Sequence, residues 1–119
     1  MKQYQLIKAY KATEELSHNN KLPADVLWGI YKLRKLLSPH VEFQKEREED
    51  LKKKYTEFAD EEGNITGQHY TDYINDLVEI ANIDKKIDLQ DKIKLTIVDD
   101  LGISVETMED LEDFIEFTK

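Results

Sequence analysis

Val26, Ile30, Leu33 and Leu37 recur at spacings of four, three and four residues, which places all of them on one face of an α-helix. The start of that helix is marked by Leu22-Pro23-Ala24-Asp25. Proline at the first helical position gives up only an amide that would be unpaired anyway, and Asp25 lies near the positive end of the helix dipole. Leu27, Tyr31 and Leu36 widen the apolar stripe, whereas Trp28 falls roughly opposite its centre, beside Lys32 and Lys35. A helix with apolar groups this far round packs on two sides, the second against either the first helix or another subunit. Trp28 and Tyr31 are the residues expected at such an oligomer interface.

Around this helix the chain divides by changes of period. Leu6, Ile7, Tyr10 and Leu16 predict an N-terminal helix from Lys2 to Ser17, with His18-Asn19-Asn20 as its exit. Pro39 is expected to end or kink the central helix, because it removes a hydrogen bond and crowds the preceding turn. Helical composition resumes at Val41-Glu42-Phe43. The stretch Gln44 to Asp50 has no apolar residue, and it reads as a solvated face with i,i+4 pairs such as Glu48 with Lys52 and Asp50 with Lys54. Asp60-Glu61-Glu62-Gly63-Asn64 is a turn. The helix beginning near Gly67 carries Tyr70, Tyr73, Ile74, Leu77, Ile80 and Ala81 on its stripe. Leu51, Tyr55 and Phe58 should face that set across an antiparallel hairpin.

Ile87-Asp88-Leu89 and Ile93-Lys94-Leu95-Thr96-Ile97 alternate apolar and polar groups, predicting a small two-stranded ribbon joined near Gln90-Asp91. After a turn at 99–102, Ser104 is a good N-cap for a last helix. Val105, Met108, Leu111 and Ile115 line its inner face, with Phe114 and Phe117 beside them. The expected fold is mainly α (α+β), one domain over residues 1–119: an N-terminal helix, a long helix broken near Pro39, an antiparallel helical hairpin, a small β-ribbon and a C-terminal acidic amphipathic helix.

Chemistry is hard to place on this chain. With no cysteine, thiolate catalysis, disulfides and the common zinc sites are excluded. The acidic turn resembles a calcium loop only in its middle. With Gly63 at the sixth position, Phe58 and His69 would stand where a carboxylate and a bidentate Glu are required. His18, His40 and His69 lie in separate segments without ligand spacing, and the four glycines form no phosphate loop. No serine sits in a nucleophile elbow. The expectation is a non-enzyme without cofactor or metal, the alternative being a small-molecule-binding protein or an enzyme whose site forms only in the fold or between subunits. No stretch approaches the apolar length of a membrane span, and the N-terminus lacks a signal-peptide core, so the expected location is the cell interior.

Charge gives the better clue. Net charge is −9, which disfavours direct binding to nucleic acid or anionic membranes and leaves basic proteins as partners. The carboxylates concentrate at the C-terminal end, where Asp99, Asp100, Glu109, Asp110, Glu112, Asp113 and Glu116 form the candidate partner-binding set. Aromatic residues on one face and carboxylates on the other suit docking on a basic, partly apolar protein.

Leu22-Pro23 opening a helix, Phe43-Gln44-Lys45-Glu46-Arg47 leading into Lys54-Tyr55, the Glu62-Gly63-Asn64 turn, and Ile93-Lys94-Leu95 before Ile103-Ser104 and Phe114-Ile115 together make a pattern. It resembles a family of small proteins encoded by phages and prophages of Gram-positive bacteria. The resemblance spans nearly the whole chain and implies a phage or prophage origin, with expression in the bacterial host cytoplasm or incorporation in the virion. It brings no catalytic residues. The function it implies is protein binding, either as an accessory factor in virion assembly or as an acidic inhibitor of a basic host protein that handles nucleic acid or serves in defence.

Overall fold

The computed structural model describes residues 1–87, 89, 91–98 and 101–118. Helix α1 (Gln3–Ser17) turns back at 18–23 into α2 (Ala24–Thr56), a 33-residue helix. Helix α3 (Gly67–Ala81) follows a ten-residue connection at 57–66. Strand β1 (Ile93–Thr96), the short helix α4 (Val105–Leu111) and strand β2 (Ile115–Thr118) complete the chain.

The core is a seam between α1 and the first half of α2. Leu6, Ala9, Ala12 and Leu16 bury against Val26, Ile30, Leu33 and Leu37, the stripe that the spacing predicts. Gln3 meets His40 and Thr13 meets Arg34, so the two helices run antiparallel. Alanines at 9 and 12 let the backbones approach closely. Arg34 closes the edge of the seam, with Nη1 donating to Thr13 Oγ1 at 3.0 Å and the guanidinium lying 4.3 Å from the Tyr10 ring.

Helix α2 runs through Pro39 without interruption, which corrects the expected break. Proline inside a helix costs about 3 kcal/mol through its lost amide and the clash with the preceding turn. Here the ring faces solvent, so water can reach the carbonyl freed by the missing amide. The turns on either side are held from the core side: Leu37 is fully buried, and the His40 carbonyl accepts the Gln3 side-chain amide at 2.8 Å. Tertiary anchoring therefore outweighs the local penalty.

Beyond His40, α2 leaves the globular part and pairs with α3, while Lys85 Nζ lies 4.2 Å from the Phe43 ring centre. Contacts from Phe58 with His69, through Tyr55 with Tyr73 and Asp76, confirm the antiparallel hairpin. This arm explains the elongated shape, 53 × 28 × 18 Å with a radius of gyration of 18.0 Å. A compact chain of this length would be nearer ~13.5 Å. The turn at its tip folds as the composition indicates. Asp60 Oδ1 accepts the backbone amides of Glu62 and Asn64, both at 2.9 Å, and Gly63 takes φ +84°. At its base, Lys2 and Asp84 form an antiparallel bridge, and the Gln3 amide donates to the Ile83 carbonyl at 2.9 Å.

The β element differs from expectation in partner and direction. Strand β1 pairs in parallel with β2, in register Ile93 with Ile115 through Thr96 with Thr118, and α4 provides the crossover that parallel pairing requires. Ile87 and Leu89 pack as irregular chain against the core, while Asp88 and Gln90 of the expected ribbon lie outside the described residues. The C-terminal helix is correspondingly short. It ends at Leu111, and Ile115-Glu116-Phe117-Thr118 is extended. Ser104 caps it as expected, its Oγ accepting the Thr107 amide at 3.1 Å. Val105, expected on the inner face, is 66% exposed, and Thr107 is buried in its place.

Strand β1 reaches α2 because residue 29 has no side chain. A Cβ there would meet Ile93 Cγ1 at 3.0 Å. Gly29→Val should lower stability by about 1–3 kcal/mol through overpacking, read as the urea midpoint. In an Ile93→Ala background the same substitution should cost less, and an equal cost in both backgrounds would contradict the contact.

Candidate functional site

Two surfaces carry the residues singled out from the sequence. The first is the acidic end of the molecule. Helix α4 packs on α1 through Leu111 and through Thr107, whose hydroxyl donates to Glu15 Oε2 at 2.6 Å. That packing sets Glu109, Asp110, Glu112 and Asp113 at the edge of a cleft of about 250 Å³, whose other wall is Met1, Tyr4, Gln5 and Lys8 of the N-terminal turns. Four of the predicted partner-binding carboxylates thus meet at one place. Glu116 does not join them: it stands on β2, beside Lys94 in the strand register. Asp99 and Asp100 lie outside the described residues.

The cleft is polar, with an aromatic flank. Tyr4 is 43% exposed, and Lys8 Nζ lies 6.0 Å from its ring centre. Among the described residues lining the cleft, Lys8 is the one with a cationic side chain. Among the described residues no cation pairs with Glu109, Asp110, Glu112 or Asp113 through its side-chain oxygens. Lys92 donates to the Glu112 backbone carbonyl at 3.1 Å. The sequence pattern does not announce the Tyr4 wall. Its only signal is that Tyr4 and Lys8 are one helical turn apart on a face of α1 that the core stripe does not use.

The second surface is the outer side of α2. Trp28 is 59% exposed and Tyr31 48%, their rings stacked at 5.4 Å and 24°. Lys32 Nζ lies 5.9 Å from the Trp28 ring centre and Lys35 Nζ 5.3 Å from that of Tyr31. The pair thus lies off the buried stripe, as the helical wheel indicates for Trp28.

A third group, on the arm, was not foreseen as a unit. Tyr55 donates its hydroxyl to Asp76 Oδ2 at 2.6 Å, and Lys54 Nζ reaches the same oxygen at 3.4 Å. The Tyr55 hydrogen bond, followed by Lys54, holds the Asp76 carboxyl below its ordinary range. The same hydrogen bond, together with burial, raises the Tyr55 phenol. Phe58 stacks on His69 at 3.8 Å and 8°. Tyr55 and Lys54 both reach across to Asp76 Oδ2, and the Phe58–His69 stack adds to the same contact, so the group clamps α2 to α3.

No family model, curated protein or solved structure matches this chain. Among the described residues, no helix is long and apolar enough to cross a membrane. No group of three or more His, Asp or Glu side chains there is arranged to hold a metal ion.

The Asp76 clamp predicts the acid response of the arm. A carboxyl whose folded pKa is depressed adds stability above its unfolded pKa, and that stability fades as pH falls through the folded value. Asp84, depressed by Lys2, acts in the same direction at the arm's base. Stability should therefore fall on acidification through and below the carboxylate range. Asp76→Asn should flatten part of that fall, leaving the Asp84 share; an identical pH profile in the variant would contradict the clamp.

Proposed function

We propose that this chain is a non-catalytic protein-binding module that grips a basic, partly apolar protein surface in the cleft between α1 and α4. The observation that supports it is the convergence of Glu109, Asp110, Glu112 and Asp113, their side chains without cation partners among the described residues, around a cleft flanked by the exposed ring of Tyr4. Solvated carboxylates are each worth only about 0–1 kcal/mol with a cation. Their contribution is faster encounter and choice of partner, while Tyr4 supplies apolar contact area. The net charge of −9 acts in the same sense over longer range.

The resemblance to phage and prophage proteins supports a partner in the bacterial cytoplasm or in the virion. In the inhibitor role, the carboxylates would occupy positions where a host protein receives nucleic-acid phosphates. In the assembly role, the same cleft would hold a basic segment of a virion protein.

Affinity capture from bacterial lysate with the tagged full chain, at low and high salt, tests this reading. A basic protein should be retained at low salt, released at high salt and lost from a Glu109→Gln, Asp113→Asn variant. Absence of any captured protein, or equal capture by the variant, would count against the cleft.

A further inference from the structure

The outward face of α2 carries a charge pattern complementary to itself. At 100° per residue, Trp28, Tyr31, Lys35, Glu42, Glu46 and Glu49 lie within about 60° of one another, nearly opposite the Val26, Ile30, Leu33 and Leu37 stripe. All six are exposed, and no other element covers them. The sequence order along the face matters. Its N-terminal half is aromatic and basic, its C-terminal half is acidic, and the crossing point at Ser38-Pro39 has no long side chain.

We propose that this face is the contact surface for a second copy of the chain, the two α2 helices packing antiparallel about a two-fold axis near Ser38-Pro39. Antiparallel superposition about that point sets Lys35 of each copy opposite Glu42 of the other, and sets the Trp28–Tyr31 stack opposite Glu46 and Glu49. A two-fold interface must be complementary to itself in this way. A parallel pairing would oppose lysine to lysine and glutamate to glutamate.

Two further observations point to the same occupant. Lys32 and Lys35 rest over the Trp28 and Tyr31 rings, and among the described residues neither has a carboxylate partner; Glu46 and Glu49 have no cation partner. A stacked Trp and Tyr, each about half exposed, forms the kind of aromatic anchor that concentrates binding energy at interfaces. The contact runs about 32 Å along the helix at 1.5 Å rise per residue. One helix width over that length is less than the ~800 Å² per partner of a standard interface. The dimer is accordingly weak, concentration-dependent and sensitive to salt.

The inference does not rest on the α1–α4 cleft, and its test leaves that cleft intact. Sedimentation velocity on the full chain, over a wide concentration range at low and high salt, should show the mass rising from 14.0 kDa toward twice that value, with weaker association at high salt. Lys35→Glu alone and Glu42→Lys alone should each weaken self-association at least tenfold while leaving the far-ultraviolet circular dichroism unchanged. The double variant Lys35→Glu, Glu42→Lys restores opposite charges across the two-fold axis and should recover it. Trp28→Ala should weaken it with no rescue by the swap. A chain that stays monomeric at every concentration would overturn the proposal. So would a dimer indifferent to the single reversals, which would use another face such as Tyr70 on α3, and so would failure of the double swap to restore association.

Discussion

The seam in which Leu6, Ala9, Ala12 and Leu16 meet Val26, Ile30, Leu33 and Leu37 is the contact from which the remaining structure is hung. Fully burying a leucine or isoleucine side chain contributes about 1.5–3 kcal/mol, and this seam holds most of the fully buried ones. It fixes the first half of α2, and that in turn fixes the rest. Strand β1 lies against Gly29, β2 pairs with β1, and α4 is held between them and α1. A two-stranded parallel sheet has little stability alone. Here Leu95 and Ile115 add their side chains to the core that α1 and α2 have already formed.

The same helix also explains why the molecule is not compact. Beyond His40, where Gln3 of α1 makes its hydrogen bond, α2 leaves α1 behind and its sequence turns to glutamate and lysine. Toward its end Leu51, Tyr55 and Phe58 are the apolar residues left for α3, so the arm is held by a thin line of aromatic contacts and the Tyr55–Asp76–Lys54 clamp. Of its side chains only Tyr55 and Ile80 are buried, and neither completely. One helix thus runs through two regimes: a buried half stabilised by close packing and a projecting half stabilised mainly by polar and aromatic contacts. Pro39 lies at the join, where the ring faces solvent and the core anchors the turns around it.

Much of this was legible in the residues. The 3.6-residue period located all three long helices and the α2 side of the seam, and Gly63 with Asp60 located the hairpin turn; on α1 it gave Leu6 and Leu16 but Ile7 and Tyr10 where the structure buries Ala9 and Ala12. Three features were not. The continuity of α2 through Pro39 is held by the buried Leu37 and by the hydrogen bond that Gln3, 37 positions away, donates to the His40 carbonyl. Strand β2 has the spacing of a helix in Leu111, Phe114 and Ile115; Ile115-Glu116-Phe117-Thr118 also alternates with period two, and pairing with β1 decides between them. The cleft at the acidic end needed tertiary structure: α4 supplied the foreseen carboxylates, but α1 supplied the unforeseen Tyr4 wall. Local periodicity announces elements, and only the packing of distant segments announces their partners.

Amide hydrogen exchange, followed residue by residue under native conditions, tests the division of α2 most directly. Amides of α1 and of α2 between Ile30 and Leu37 should exchange only through global unfolding. Those of α3 and of α2 beyond Leu51 should exchange faster, through opening of the arm with the core intact. Equal protection along the whole of α2 and α3 would mean that the molecule unfolds as one unit, and that the seam between α1 and α2 is not the contact on which the rest depends.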